Sequence, residues 1–264
     1  MKRAVLFRFH KNPELCKDRL RLLKELNPEV STYGLGENIN RSEELKEAGL
    51  EDIHVVDDKD SEWKWMNGDL AVRDWFKNKG KNRDFDMLHV VEWDLLLAAP
   101  LDEIYGHISK GSLGLSGLKP IDEAENYGWS WITGEYRDEW EKLRGWVESQ
   151  TGYSGESFGC IFPGCCLPRS FLEEYSDLDV PAYSNDEVRV PLIAEALGYK
   201  LERTGLYPEW GQASINRYFN ATGDLIHPEK IRRELEKTGG KRAFHPVRDR
   251  IGKDKVMKWK DQTS

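Results

Sequence analysis

The chain has 264 residues, 39% of them hydrophobic and 33% charged, enough apolar material for one substantial core and too much for a disordered chain. Its formal net charge of -8 argues against a partner bound through a phosphate backbone, because nucleic-acid affinity rests on Lys and Arg, so no nucleic-acid partner is expected. Cys16, Cys160, Cys165 and Cys166 have no CxxC spacing and read as reduced thiols rather than as a bridge framework or zinc knuckle.

In chain order, residues 4–9 read as a first strand, and Pro13 opens a helix that carries Leu15, Leu20, Leu22, Leu23 and Leu26 before Asn27-Pro28 ends it. That opening strand meets Arg8 after a short apolar run, which is too brief for the apolar core of a secretory signal. Residues 30–35 form a second strand, 42–48 a helix and 53–56 a third strand ending in Asp57-Asp58. A helix over 66–75 begins at Asn67-Gly68-Asp69, and the clearest strand, 85–91, ends in Glu92-Trp93-Asp94. The longest apolar run follows at residues 95–101, far below the ~20 residues that cross a bilayer. A cytoplasmic location without a transmembrane segment is therefore expected.

Residues 120–151 change texture, with Trp129, Trp131, Trp140 and Trp146 and no strand alternation, and read as an insertion. Strand character resumes at 157–162, helices are predicted at 168–175 and 186–197, and a strand at 199–203. Pro191 predicts a kink in the second of these helices. Residues 241–264 carry eight Lys or Arg against three Asp and read as a basic surface tail. Strands alternating with helices predict an α/β fold, a mostly parallel central sheet flanked by helices.

Glu92 and Asp94 leave an apolar strand at its carboxyl end, where open α/β sheets bind ligands, and carboxylates are the natural partners of Mg²⁺ or Mn²⁺. Solvated acids past a strand end account for the same residues. Asn185-Asp186-Glu187 places two acids at a helix start, where the dipole alone favours them, yet a general base also needs such a carboxylate. Gly164, in a stretch rich in Gly and Pro, allows a substrate to approach the backbone or simply makes a turn. Asp69 and Arg73, at and beyond a helix start, offer either a diphosphate site or a helix cap. His245 lies between apolar residues late in the chain and can complete a metal shell, and His10 ends the first strand beside the same crevice.

Taken in order, Arg8 to Asn12, the helix after Asn67, Glu92-Trp93-Asp94, Gly164, Asn185-Asp186-Glu187 and His245 resemble the layout of GT-A fold glycosyltransferases, closest to the inverting family 2 type. The resemblance spans residues 3–247 and implies one GT-A-like catalytic domain over 1–247, with about 120–151 as an acceptor lid and 248–264 as the basic tail. It implies a hexosyltransferase that moves sugar from a UDP- or GDP-sugar to a glycan or other hydroxyl acceptor. Asp94 matches the last acid of the DxD motif, which binds Mn²⁺ or Mg²⁺, and Glu92 stands where that motif has its first Asp. Asp186 or Glu187 matches the family's catalytic base, and His245 its C-terminal metal histidine. The base and ribose pocket falls at 9–11, Gly36-Glu37 and Asp57-Asp58. His10, Asp58, Asp69, Arg73 and Gly164 are thus the donor-binding candidates. Residues 212–218 lack the QxxRW spacing of processive synthases, so single transfers are expected. Two other readings stand beside this one, a nucleotidyltransferase on a similar sheet and a non-catalytic carbohydrate-binding protein.

Overall fold

Apolar runs bounded by Asn, Pro and Gly become the strands and helices of one central sheet with its cover. The structure is a computed structural model and describes residues 1–36, 42–56, 59–207, 210 and 217–261. Glu37, Asp57, Asp58 and Gln212 lie outside the described residues. The strands are β1 (Arg3–Phe9), β2 (Ser31–Gly36), β3 (Ile53–Val55), β4 (Met87–Glu92), β5 (Leu96–Leu97), β6 (Leu113–Pro120), β7 (Phe158–Pro168), β8 (Leu201–Arg203) and β9 (Ala243–Phe244). The helices are α1 (Pro13–Leu26), α2 (Ser42–Glu47), α3 (Ser61–Met66), α4 (Gly68–Asn78), α5 (Leu101–Tyr105), α6 (Ile121–Glu125), α7 (Arg137–Thr151), α8 (Arg169–Asp177), α9 (Asp186–Ala196), α10 (Pro228–Leu235) and α11 (Lys253–Asp261).

The main sheet has seven strands in the order β3-β2-β1-β4-β7-β6-β8, and only β7 runs against the others. This is the expected α/β fold with a mostly parallel sheet. From β1 the chain builds outward through β2 and β3, then returns to place β4 on the other side of β1. The carboxyl ends of β1 and β4 therefore flank the switch point, where the connecting segments part and leave a crevice. The interior strands read as continuous apolar runs because both faces are covered: Met87 to Val91 are all buried.

Several elements differ from the sequence-based expectation. The predicted helix over 66–75 is two helices, α3 and α4, with Asn67 at the junction, its side chain donating to Trp63 O at 2.9 Å. Strand β7 does not end at 162 but runs on to Pro168, because Gly164 adopts φ 75 and lets the strand re-aim and pair with β4. Residues 113–120, unassigned in the sequence reading, form β6.

The expected basic tail is folded. Val247, Ile251 and Val256 are fully buried in a second apolar cluster with Leu22, Leu96, Ile231 and Phe244. Arg19, buried on α1, donates to the carbonyls of Val247, Asp249 and Ile251, each at 3.1 Å. Burial lowers the pKa of Arg19 to about 10, and the guanidinium still carries charge at neutral pH. The cations of the tail face outward while its apolar residues face in, so composition alone concealed the packing.

Replacing Arg19 with Leu leaves three carbonyls without their donor and is expected to lower stability by about 3 kcal/mol, measured by urea unfolding. A loss below about 1 kcal/mol would show that the 247–251 segment does not depend on this anchor.

Candidate functional site

The crevice begins with two neighbours in the sheet. Parallel register sets Arg8 of β1 opposite Glu92 of β4, and Arg8 Nη1 donates to Glu92 Oε1 at 2.6 Å with both side chains mostly buried. Burial pushes the Glu92 carboxyl above its ordinary pKa, with Arg8 opposing that shift. Arg8 Nη2 also donates to the carbonyl of Lys64 at 3.2 Å, and the guanidinium lies over the Phe162 ring. Leu35, Gly36 and Val56, at the ends of β2 and β3, line the adjoining hollow with Arg8, His10 and Glu92.

Asp94 takes a different partner set from Glu92. Beyond β4 the chain turns, and β5 pairs with β9 in a small antiparallel sheet. Val247 N–H donates to Asp94 O at 2.8 Å, which draws His245 to the acid. His245 Nε2 lies 3.5 Å from Asp94 Oδ1, and Arg248 Nε lies 3.5 Å from Asp94 Oδ2. His245 Nδ1 lies 2.8 Å from the carbonyl of Asn220, which can only accept, so Nδ1 carries the proton. Nε2, the other ring nitrogen, then faces Asp94, and the Asn220 carbonyl fixes the orientation of the ring. Burial raises the Asp94 pKa, but His245 and Arg248 outweigh burial and leave it below its ordinary value.

The later acids also part company. Asn185 and Asp186 are buried at the start of α9, directly after Ser184, a non-glycine residue at φ 55. Such backbone strain persists only where the surroundings enforce it. Asp186 Oδ2 accepts the Gly68 N–H at the start of α4, at 3.1 Å. Burial raises the Asp186 pKa well above the carboxylate range, and Asp69 and Glu187 raise it further. Glu187 is only half-buried and faces elsewhere: Oε2 accepts the Trp131 indole N–H at 2.9 Å and Oε1 the Phe162 N–H at 3.4 Å. Burial pushes the Glu187 pKa up to about 7, against the pull of the Phe162 N–H, Trp131, Asn185 and His245. Gly68 binds the two halves of the crevice together, because a Cβ there would overlap the Arg8 guanidinium and lie 2.6 Å from Asp186 Oδ2.

Beneath these acids lies a buried ion pair. Arg189 donates from Nε and Nη2 to both oxygens of Asp69, at 2.7 and 2.6 Å, with both side chains almost wholly inaccessible. Nη2 also donates to Asn67 Oδ1 at 2.9 Å, Nη1 to Tyr183 O at 2.8 Å, and the Tyr175 hydroxyl donates to Asp69. Asp69 outweighs burial and holds the Arg189 pKa above its ordinary value.

Some expected donor-binding residues are placed away from the crevice. Asp69 is committed to Arg189 and Tyr175 in the interior, which corrects the expectation that it faces a diphosphate. Arg73 donates to the Leu178 carbonyl beyond α8 and is likewise turned to the scaffold. Gly164 is buried, with Leu206 at 2.8 Å from the position of a Cβ, so its missing side chain makes room for protein and not for ligand. His10 is at the crevice, exposed and edge-on to Trp93 at 5.3 Å. Asp58 lies outside the described residues. Glu92, paired with Arg8, does not join Asp94 and His245: among the described residues no group of three His, Cys, Asp or Glu side chains is arranged to hold a metal ion.

From the sequence neither Arg8, named only within the Arg8 to Asn12 stretch, nor Arg189 had a site role of its own, and Trp131 stood only among the tryptophans of the 120–151 lid. A lone Arg in the apolar run of β1, and another in the Val188-Arg189-Val190 run, are the signals that could have found the first two. A larger cavity of about 230 Å³ beside α7 is lined by Glu141, Arg144, Glu148 and Tyr153 and includes none of the site residues above, so size does not mark the chemistry here.

No family model and no curated protein sequence matches this chain. Among solved structures it is similar to the glycosyltransferase GlyE of Streptococcus pneumoniae TIGR4, at 13% identity and a TM-score of 0.37, over 76% of this chain and 45% of that one. It is also similar to the galactosyltransferase LgtC solved with donor and acceptor sugar analogues, at 13% identity and a TM-score of 0.41, over 75% of this chain and 72% of that one. This chain spans less than half the length of the pneumococcal protein. Among the described residues no helix is long and apolar enough to cross a membrane.

Arg189→Met strands a buried Asp69 carboxylate and is expected to cost about 3–5 kcal/mol in urea unfolding. Adding Asp69→Asn should recover part of that loss, since the orphaned charge is then gone.

Proposed function

We propose that this chain is a glycosyltransferase that moves a sugar from a nucleoside-diphosphate sugar, UDP- or GDP-linked, to a hydroxyl acceptor. The observation that carries this reading is a pair of unlike acid sites on either side of the Arg8–Glu92 pair in the chain's contacts: Glu92 is two residues before Asp94, and the Phe162 ring under Arg8 belongs to the residue whose N–H Glu187 accepts. Asp94 has His245 and Arg248 around it, while Glu187, bonded to Trp131 and Phe162, has its pKa raised to about 7. The first site suits a diphosphate and its counter-ion, and the second suits proton removal from a hydroxyl near neutral pH.

A divalent ion, Mn²⁺ or Mg²⁺, fits the first site through two donors, the Asp94 carboxylate and the His245 Nε2 whose lone pair Asn220 orients. When bound, the ion supplies positive charge against the departing diphosphate. Glu92 contributes by holding Arg8, a second fixed cation in the crevice. Arg248 and Lys11, both packed over the Trp93 ring, offer further positive charge to phosphate oxygens.

At the second site Glu187 accepts the acceptor's hydroxyl proton as that oxygen bonds to the anomeric carbon and the carbon–oxygen bond to the diphosphate breaks. Attack from the face opposite the leaving group inverts the configuration. Asp186 holds the start of α4 instead, and its bond to the Gly68 N–H makes it the positioning member of the pair.

Asp94→Asn should weaken Mn²⁺-dependent binding of UDP or GDP by about 100-fold in calorimetry and abolish sugar-nucleotide turnover. A variant that keeps binding glycans while the parent turns over no nucleotide sugar would instead favour a non-catalytic carbohydrate-binding protein.

Glu187→Gln should lower kcat by about 10²–10⁴-fold with donor affinity retained. Because a base works deprotonated, kcat of the parent should rise with pH and level off above about 7. The raised pKa also sets a stability trend, since the folded state prefers the protonated acid. Below the ordinary Glu value the parent gains relative to Glu187→Gln, and this gain disappears as pH rises through about 7, which thermal melts at pH 4 and pH 8 measure.

A further inference from the structure

Trp65 is the most exposed large hydrophobic side chain among the described residues, at 64%, on a helix, α3, that buries none of its residues. Tryptophan is highly buried on average, so an indole held in the open needs an occupant or a reason. This indole is also held in place. Its ring centroid lies 5.4 Å from that of Trp131, and Trp131 meets Tyr136 at 4.8 Å in a steep edge contact. Trp131 lies in the short 3₁₀ turn Ser130–Ile132 of the segment between β6 and β7, so the two indoles come from distant parts of the chain.

Both ends of this aromatic surface connect to the crevice. Trp131 donates its indole N–H to Glu187 Oε2 at 2.9 Å, the oxygen of the proposed base. Lys64, the residue before Trp65, gives its carbonyl to Arg8 and lines the hollow at the end of β1. The aromatic surface therefore borders the proposed base on one side and the proposed donor pocket on the other.

We propose that Trp65, backed by Trp131 and Tyr136, is the acceptor subsite and takes a pyranose ring on the indole face. The proposal rests on the transferase reading above and names the acceptor class for it. A pyranose has a face of axial C–H groups and an equatorial rim of hydroxyls. The electron-rich face of an indole attracts such polarised C–H groups, and a carboxylate at its edge accepts a rim hydroxyl. Trp131 then both supports the platform and fixes the carboxylate that the hydroxyl must reach.

The test is saturation-transfer NMR and calorimetry on the full chain with methyl β-D-glucopyranoside, methyl β-D-galactopyranoside and lactose, and with UDP plus Mn²⁺ as the donor-side probe. At least one glycoside should bind, with saturation strongest at the axial protons of one ring face. Trp65→Ala should weaken that binding by about tenfold or more, and Trp65→Phe by less, because a smaller aromatic face remains. Since Trp65 is exposed, thermal melts should show both variants folded. The proposal is overturned if none of the three glycosides binds, if Trp65→Ala binds them as the parent does, or if that variant loses UDP as severely as glycosides. Glycoside binding that depends on Trp65 in a protein that binds no nucleoside diphosphate would uphold the platform and remove the transferase reading.

Discussion

The buried ion pair between Asp69 and Arg189 is the constraint on which the candidate site depends. It ties the start of α4 to the start of α9 across 120 residues of sequence, and bonds to Asn67, Tyr175 and the Tyr183 carbonyl leave it little freedom. Burying two charges is costly, and an apolar pair of similar volume often serves stability as well or better. What an apolar pair would not provide is direction. The bidentate geometry sets α9 so that Asp186 reaches the Gly68 N–H, and the strained Ser184 is held in place just before it.

From that anchor each acidic motif divides its labour. Glu92 and Asp94 stand two residues apart, yet the first neutralises a cation of the neighbouring strand while the second meets His245 and Arg248 from the chain's far end. Asp186 and Glu187 are adjacent, yet the first caps a helix start and the second faces the indole of Trp131. A strand end and a helix start both send consecutive side chains in different directions, so neighbouring acids take unlike partners and unlike pKa values. Separation of this kind is what the proposed function uses, with one carboxyl as a holder and the other as the proton acceptor.

The segment between β6 and β7 joins this arrangement through Trp131. Its Trp140, Leu143 and Val147 are buried against the core, while Trp131 reaches Glu187. Texture in the sequence marked this segment as distinct from the alternating strands and helices around it. The structure adds that β7 runs antiparallel beside β6, which brings both ends of the segment to the same region of the sheet.

The sequence by itself determined the α/β class, most of the elements in the first half of the chain, and the location of both acidic motifs. These follow from local periodicity and from where apolar runs stop, which neighbouring residues suffice to encode. Only the tertiary structure decided the partners. Arg8 and Glu92 are 84 residues apart and Gly68 and Asp186 are 118 apart, and each meeting depends on the order in which strands enter the sheet. Asp69 and Arg73 offered either a diphosphate site or a helix cap in the sequence but are claimed by the scaffold, because a charge beside a helix start looks the same in sequence whether it faces solvent or a buried arginine. The basic carboxyl-terminal stretch was illegible for a related reason: few apolar residues among many lysines anchor it, and their burial against α1 and α10 depends on surfaces that other parts of the chain supply.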